Sequence, residues 1–70
     1  MGQEEVLSWL EQHKGGWFSS QEIREALDVQ RSTMNHILQR LKHYEEINAE
    51  RIKRNEYVYS AKGTKKYKNI

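Results

Sequence analysis

No cysteine occurs among the 70 residues, and no proline. Without thiols the chain can form neither disulfides nor thiolate metal sites, so its stability must come from packing. That absence fits a reducing compartment. No apolar run approaches the roughly 18 residues that a bilayer span needs. The opening residues 1–5 are acidic and polar, unlike the basic start and apolar middle of a secretory leader. The expectation is a soluble cytoplasmic protein without a membrane partner. No repeat, linker or low-complexity stretch interrupts the chain, and its length suits a single domain, residues 1–70, with one small core.

What the chain has is charge, distributed unevenly. The formal net charge is only +2. Yet residues 1–28 carry two basic against six acidic side chains, and residues 29–70 carry ten basic against four acidic. One end is acidic and the other is basic, and a basic face suits a polyanion partner. A charged surface also keeps a small domain soluble, so this feature alone decides nothing.

Periodicity and caps predict the order of elements. Val6, Leu7, Trp9, Leu10 and His13 fall on one side of a helix over residues 4–14, which Gly15 and Gly16 end. Trp17 and Phe18 form a short extended piece. Ser19-Ser20-Gln21-Glu22 has the capping-box pattern, in which the Ser19 hydroxyl and the Glu22 carboxylate satisfy each other's backbone N–H. A second helix follows over residues 20–27, with Ile23, Ala26 and Leu27 inward. After Asp28 and Val29, a third helix over residues 30–44 places Met34, Ile37, Leu38 and Leu41 in an apolar stripe. Residues 47–54 and 57–60 then read as a β-hairpin around Asn55-Glu56. The Lys-rich residues 61–70 read as a short final helix or a flexible basic tail. The fold class is mainly α with a small β-hairpin.

Several segments resemble the winged helix-turn-helix superfamily. Phe18-Ser19-Ser20-Gln21-Glu22-Ile23-Arg24-Glu25-Ala26-Leu27 is similar to its second helix. Val29-Gln30-Arg31-Ser32-Thr33-Met34 is similar to the v-s-r-s-t-v start of its recognition helix. Tyr57-Val58-Tyr59-Ser60-Ala61-Lys62-Gly63 resembles the Y-x-L-T-x-x-G exit from its wing. The resemblance extends from about Val6 to Lys66. The chain departs from it near Glu46, where the family usually has glycine. The resemblance implies a three-helix winged fold that binds double-stranded DNA in transcription control, with residues 30–44 in the major groove and the wing, residues 47–60, on the backbone or minor groove. In a prokaryote it would be nucleoid-associated.

The residue types fit that implication on their own terms. With the apolar stripe inward, the opposite side of the third helix carries Ser32, Asn35, His36, Gln39, Arg40 and His43, with no acidic residue between Arg31 and Tyr44. Arg31, Ser32 and Asn35, towards its N-terminal half, are the leading candidates for base contacts. Carboxamides can pair with adenine edges and guanidinium groups with guanine. An ordinary solvated helix face would usually include glutamate. The wing adds Arg51, Lys53, Arg54 and Asn55, which suit phosphate contacts or protection of an exposed strand edge. Lys62, Lys65, Lys66 and Lys68 could add phosphate contacts without base specificity.

Other chemistries find less support. Paired titratable groups of a catalytic kind are missing: Glu45 and Glu46 are adjacent, and Ser19 and Ser20 are accounted for as caps. No enzyme activity is expected. His36 and His43 lie seven residues apart, roughly 10 Å along a helix, too far to share a metal. No metal or cofactor is expected. Trp17 or Phe18 suits the core, and an exposed Trp9 would mark a partner surface. The alternative function is a winged-helix module that binds protein without DNA, its partner reached through the acidic first half. The oligomeric state stays open, a homodimer on two half-sites included.

Overall fold

The computed structural model describes residues 2–67. They form α1 (Gln3–Gln12), β1 (Phe18–Ser19), α2 (Ser20–Leu27), α3 (Arg31–His43), β2 (Ile47–Lys53) and β3 (Glu56–Ala61). The strands make one antiparallel sheet in the order β1-β3-β2. The extended piece before α2 is a minimal strand paired with the hairpin, as its place in the sequence suggests, but it comprises Phe18 and Ser19 rather than Trp17 and Phe18. Phe18 pairs with Tyr59 and Ser19 with Val58.

The core gathers Val6 and Leu10 of α1, Ile23 of α2, the stripe Met34, Ile37, Leu38 and Leu41 of α3, and Ile47 and Ala61 of the sheet. Leu7, Trp9 and Phe18 pack against it from its edge. His13, on the apolar side of the α1 wheel, is exposed: its Nδ1–H donates to the Trp9 carbonyl at 2.8 Å, and its ring stacks on Trp9. Ala26, expected inward, is exposed. Ile23 and Leu27, one turn apart, carry the contact of this eight-residue helix, which leaves Ala26 outside it.

The capping box forms as its sequence requires. The Glu22 N–H donates to Ser19 Oγ at 3.2 Å, and the Ser19 N–H donates to Glu22 Oε1 at 3.0 Å. Because Ser19 is also the last residue of β1, one residue joins the sheet to α2.

With glycine scarce, three junctions use other residues in the left-handed region: Asp28 at φ 54°, Glu45 at φ 56° and Asn55 at φ 65°. Asp28 turns the chain between α2 and α3, and the next N–H, of Val29, returns to the Arg24 carbonyl. Glu45 closes α3 in a Schellman motif: its N–H donates to Lys42 O at 3.0 Å, and that of Glu46 to Leu41 O at 2.9 Å. The turn where the resembling family has glycine thus closes around a glutamate. The hairpin turn is Arg54-Asn55, one residue earlier than the expected Asn55-Glu56. Asparagine tolerates positive φ, so Asn55 takes the loop and Glu56 pairs with Lys53. A register shift between Arg51 and Lys53 absorbs the extra residue.

Residues 62–67 form neither a helix nor a frayed end. Thr64 Oγ1 accepts from the Gly15 N–H at 3.2 Å, Lys65 O accepts from Trp17 Nε1 at 2.9 Å, and the Tyr67 ring meets Trp17 edge to face. Trp17 therefore anchors the end of the described chain and stands outside the core. Lys68 and the rest of the basic tail lie outside the described residues.

A glutamate Cβ in the left-handed region costs about 1 kcal/mol. Glu45→Gly should therefore stabilise the fold by roughly 0.5–1 kcal/mol despite the freer unfolded chain, raising the thermal midpoint by about 2–8 °C. Circular dichroism melting checks this. An unchanged or lower midpoint would mean that the Glu45 side chain itself supports the turn.

Candidate functional site

Burial of the α3 stripe turns the remaining side chains of that helix outward. Arg31, Ser32, Asn35, His36, Gln39 and Arg40 are all exposed, as are Lys42 and His43. The helix has no acidic residue in its first turn and no side-chain cap on its N-terminus, and its last turn carries Arg40, Lys42 and His43. By contrast, α1 has Glu4 and Glu5 in its first turn and α2 has the Ser19–Glu22 box. Three backbone N–H groups and an arginine therefore open one end of α3 to an anion.

On the hairpin, Arg51, Lys53, Arg54 and Asn55 are exposed. Arg51 pairs with Tyr57 across the ladder. Tyr57 in turn touches α3: Lys42 Nζ lies 4.8 Å from its ring centroid, a cation–π contact. The basic hairpin and the polar helix are thus joined through Tyr57.

Two clefts flank the C-terminal half of α3 and share Gln39 and Lys42. One, of about 230 Å³, lies between α3 and β3 and is lined by Asn35, Leu38, Gln39, Lys42, Tyr57 and Tyr59. The other, of about 550 Å³ and open to solvent, is lined by His36, Gln39, Arg40, Lys42, His43 and Tyr44. The structure thus gathers Asn35 and Gln39 around the first cleft and His36, Gln39 and Arg40 around the second. Arg31 and Ser32 line neither, and neither do Arg51, Lys53, Arg54 and Asn55.

Lys42, Tyr44, Tyr57 and Tyr59 join the site although the polar pattern of α3 does not single them out. The signal for three of them was present in spacing. Asn35, Gln39 and Lys42, at i, i+4 and i+7, share a helix face. Tyr57 and Tyr59, two apart, share a strand face, and their rings stack with centroids 6.5 Å apart. What spacing could not supply is which strand face meets α3. Burial holds the Tyr59 phenol above its ordinary pKa, and neighbouring Tyr57 raises it further.

Among the described residues, no three His, Cys, Asp or Glu side chains form a group that could hold a metal ion. No helix among them is long and apolar enough to cross a membrane. No family model, curated protein or solved structure matches this chain.

The Tyr59 shift has a consequence for alkaline stability. Its neutral phenol is favoured in the folded state, so that contribution is complete below the unfolded value of about 10 and is lost as pH rises through the higher folded value. The wild type should lose more stability between about pH 9 and pH 11 than Tyr59→Phe, as read from urea midpoints. Equal losses in the two proteins would remove Tyr59 from the account.

Proposed function

We propose that this chain is a winged helix-turn-helix domain that binds double-stranded DNA and serves transcription control. In this reading α3 enters the major groove, and the hairpin β2–β3 is the wing on the flanking backbone or minor groove. The element order supports it: two helices joined by only residues 28–30, then a hairpin whose second strand pairs with β1. The observation that carries it is the outer face of α3, fully exposed, rich in hydrogen-bonding and basic side chains and free of carboxylates.

The roles divide by chemistry. Asn35 and Gln39 present carboxamides suited to adenine edges, and Arg31 and Arg40 present guanidinium groups suited to guanine or phosphate. Ser32 and His36 lie on the same face. Arg51, Lys53 and Arg54, with Asn55 at the turn, supply charge to the backbone without reading sequence. The uncapped first turn of α3 offers N–H groups to a phosphate.

A nitrogen-15 NMR titration with a mixed-sequence duplex tests this at low and moderate salt. Shifts should concentrate at residues 31–43 and 51–55, and log affinity should fall with log salt by about 0.9 per phosphate contact. No shifts even at low salt would overturn the reading and favour a protein partner for the acidic first half.

Two substitutions then separate the roles. Asn35→Ala should cost about 1–3 kcal/mol on the preferred sequence and flatten its preference. Arg54→Ala should weaken all duplexes similarly and reduce the salt slope by about 1. Binding to a panel of duplexes distinguishes them, and matching profiles for both variants would contradict the division.

A further inference from the structure

The cleft between α3 and β3 adds to two base-reading residues three side chains which that face does not explain: Lys42, Tyr57 and Tyr59. Its polar lining consists of the carboxamides of Asn35 and Gln39, the ammonium of Lys42 and the phenols of Tyr57 and Tyr59. Every one of these can donate a hydrogen bond, and no carboxylate is among them. An aromatic face positions an ammonium through its quadrupole without neutralising it. The Lys42 charge, held 4.8 Å over the Tyr57 ring, therefore stays available to an anion. Burial favours the protonated, donating form of the Tyr59 phenol.

Resting on the duplex reading above, we infer that this cleft seats one phosphodiester of the bound DNA, with Lys42 as its ion-pair partner and the Tyr57 hydroxyl as a hydrogen-bond donor to it. The point charge of a lysine suits a phosphate better than a base edge, which offers donors as well as acceptors. Asn35 marks the other end of the cleft, about 10 Å along the helix from Lys42, where the base-reading face begins. The seat fixes how deeply α3 enters the groove, because one phosphate is held between the helix and the wing at once. Tyr57 thereby becomes a positioning residue: its ring sets Lys42 and its backbone belongs to the wing.

Lys42→Gln and Tyr57→Phe test this on short duplexes of two unrelated sequences, by fluorescence anisotropy across a salt series. Both positions are exposed, and circular dichroism checks that both variants fold. Lys42→Gln should weaken both duplexes about tenfold and reduce the salt slope by about 0.9. Tyr57→Phe keeps the ring beneath Lys42 and removes only the hydroxyl. It should weaken both duplexes severalfold with the slope unchanged, whereas a residue that only packs would leave affinity unmoved. Wild-type affinity and slope in both variants would overturn the seat and leave the duplex reading standing. Loss on only one of the two sequences with Lys42→Gln would assign the cleft to a base and also overturn it. If the wild type binds neither duplex, the seat and the duplex reading fall together.

Discussion

Four side chains of α3, Met34, Ile37, Leu38 and Leu41, are almost wholly removed from water, and burying each is worth about 1.5–3 kcal/mol. In a domain of this size that is a large share of what opposes chain entropy. The helix cannot rotate without exposing some of them, so its azimuth is fixed. At 3.6 residues per turn, fixing the stripe also fixes the opposite face. The presentation of Asn35, His36, Gln39 and Arg40 is thus a by-product of packing, and no polar contact is required to hold those residues outward.

Where α3 sits relative to its neighbours depends on the junctions. Glycine would ordinarily take left-handed conformations at no steric cost, yet Asp28, Glu45 and Asn55 occupy them here. Asparagine and aspartate tolerate that region, while glutamate does so poorly. The surrounding hydrogen bonds hold it there: both Schellman bonds form around Glu45. Asp28 sets the path from α2 to α3, Glu45 the path from α3 into β2, and Asn55 the reversal at the hairpin tip. Ser19 completes the frame, since its backbone pairs with β3 while its side chain caps α2.

The parts legible in the sequence were those that local rules decide. The apolar stripe of α3, the Ser19–Glu22 box and the hairpin all rest on short-range periodicity or on side chains that cap nearby backbone. What escaped was decided by tertiary contact. The hairpin turn sits one residue earlier than expected because Glu56 joins the ladder opposite Lys53, with a register shift after Arg51. The end of the chain is strapped by Trp17, whose indole N–H reaches a carbonyl 48 residues away. The polar face of α3 could be named residue by residue. The contributions of Lys42, Tyr57 and Tyr59 could not, because they arise only where the helix and the strand meet.

How much of the positive charge on α3 needs a partner to explain it can be judged from the helix itself. Cations in a last turn stabilise a helix by interacting with its negative end, commonly by about 0.3–1 kcal/mol each. Arg40 and Lys42 thus have a structural reason to be where they are, and they weigh little by themselves. The N-terminus is different. There the dipole favours acids and oxygen caps, which α1 and α2 take up and α3 forgoes, placing Arg31 where a carboxylate would stabilise the helix. A helix that leaves its positive end uncapped gives up stability that an incoming phosphate can restore. The proposed polyanion partner is therefore supported less by the number of basic residues than by the places where acidic ones are missing.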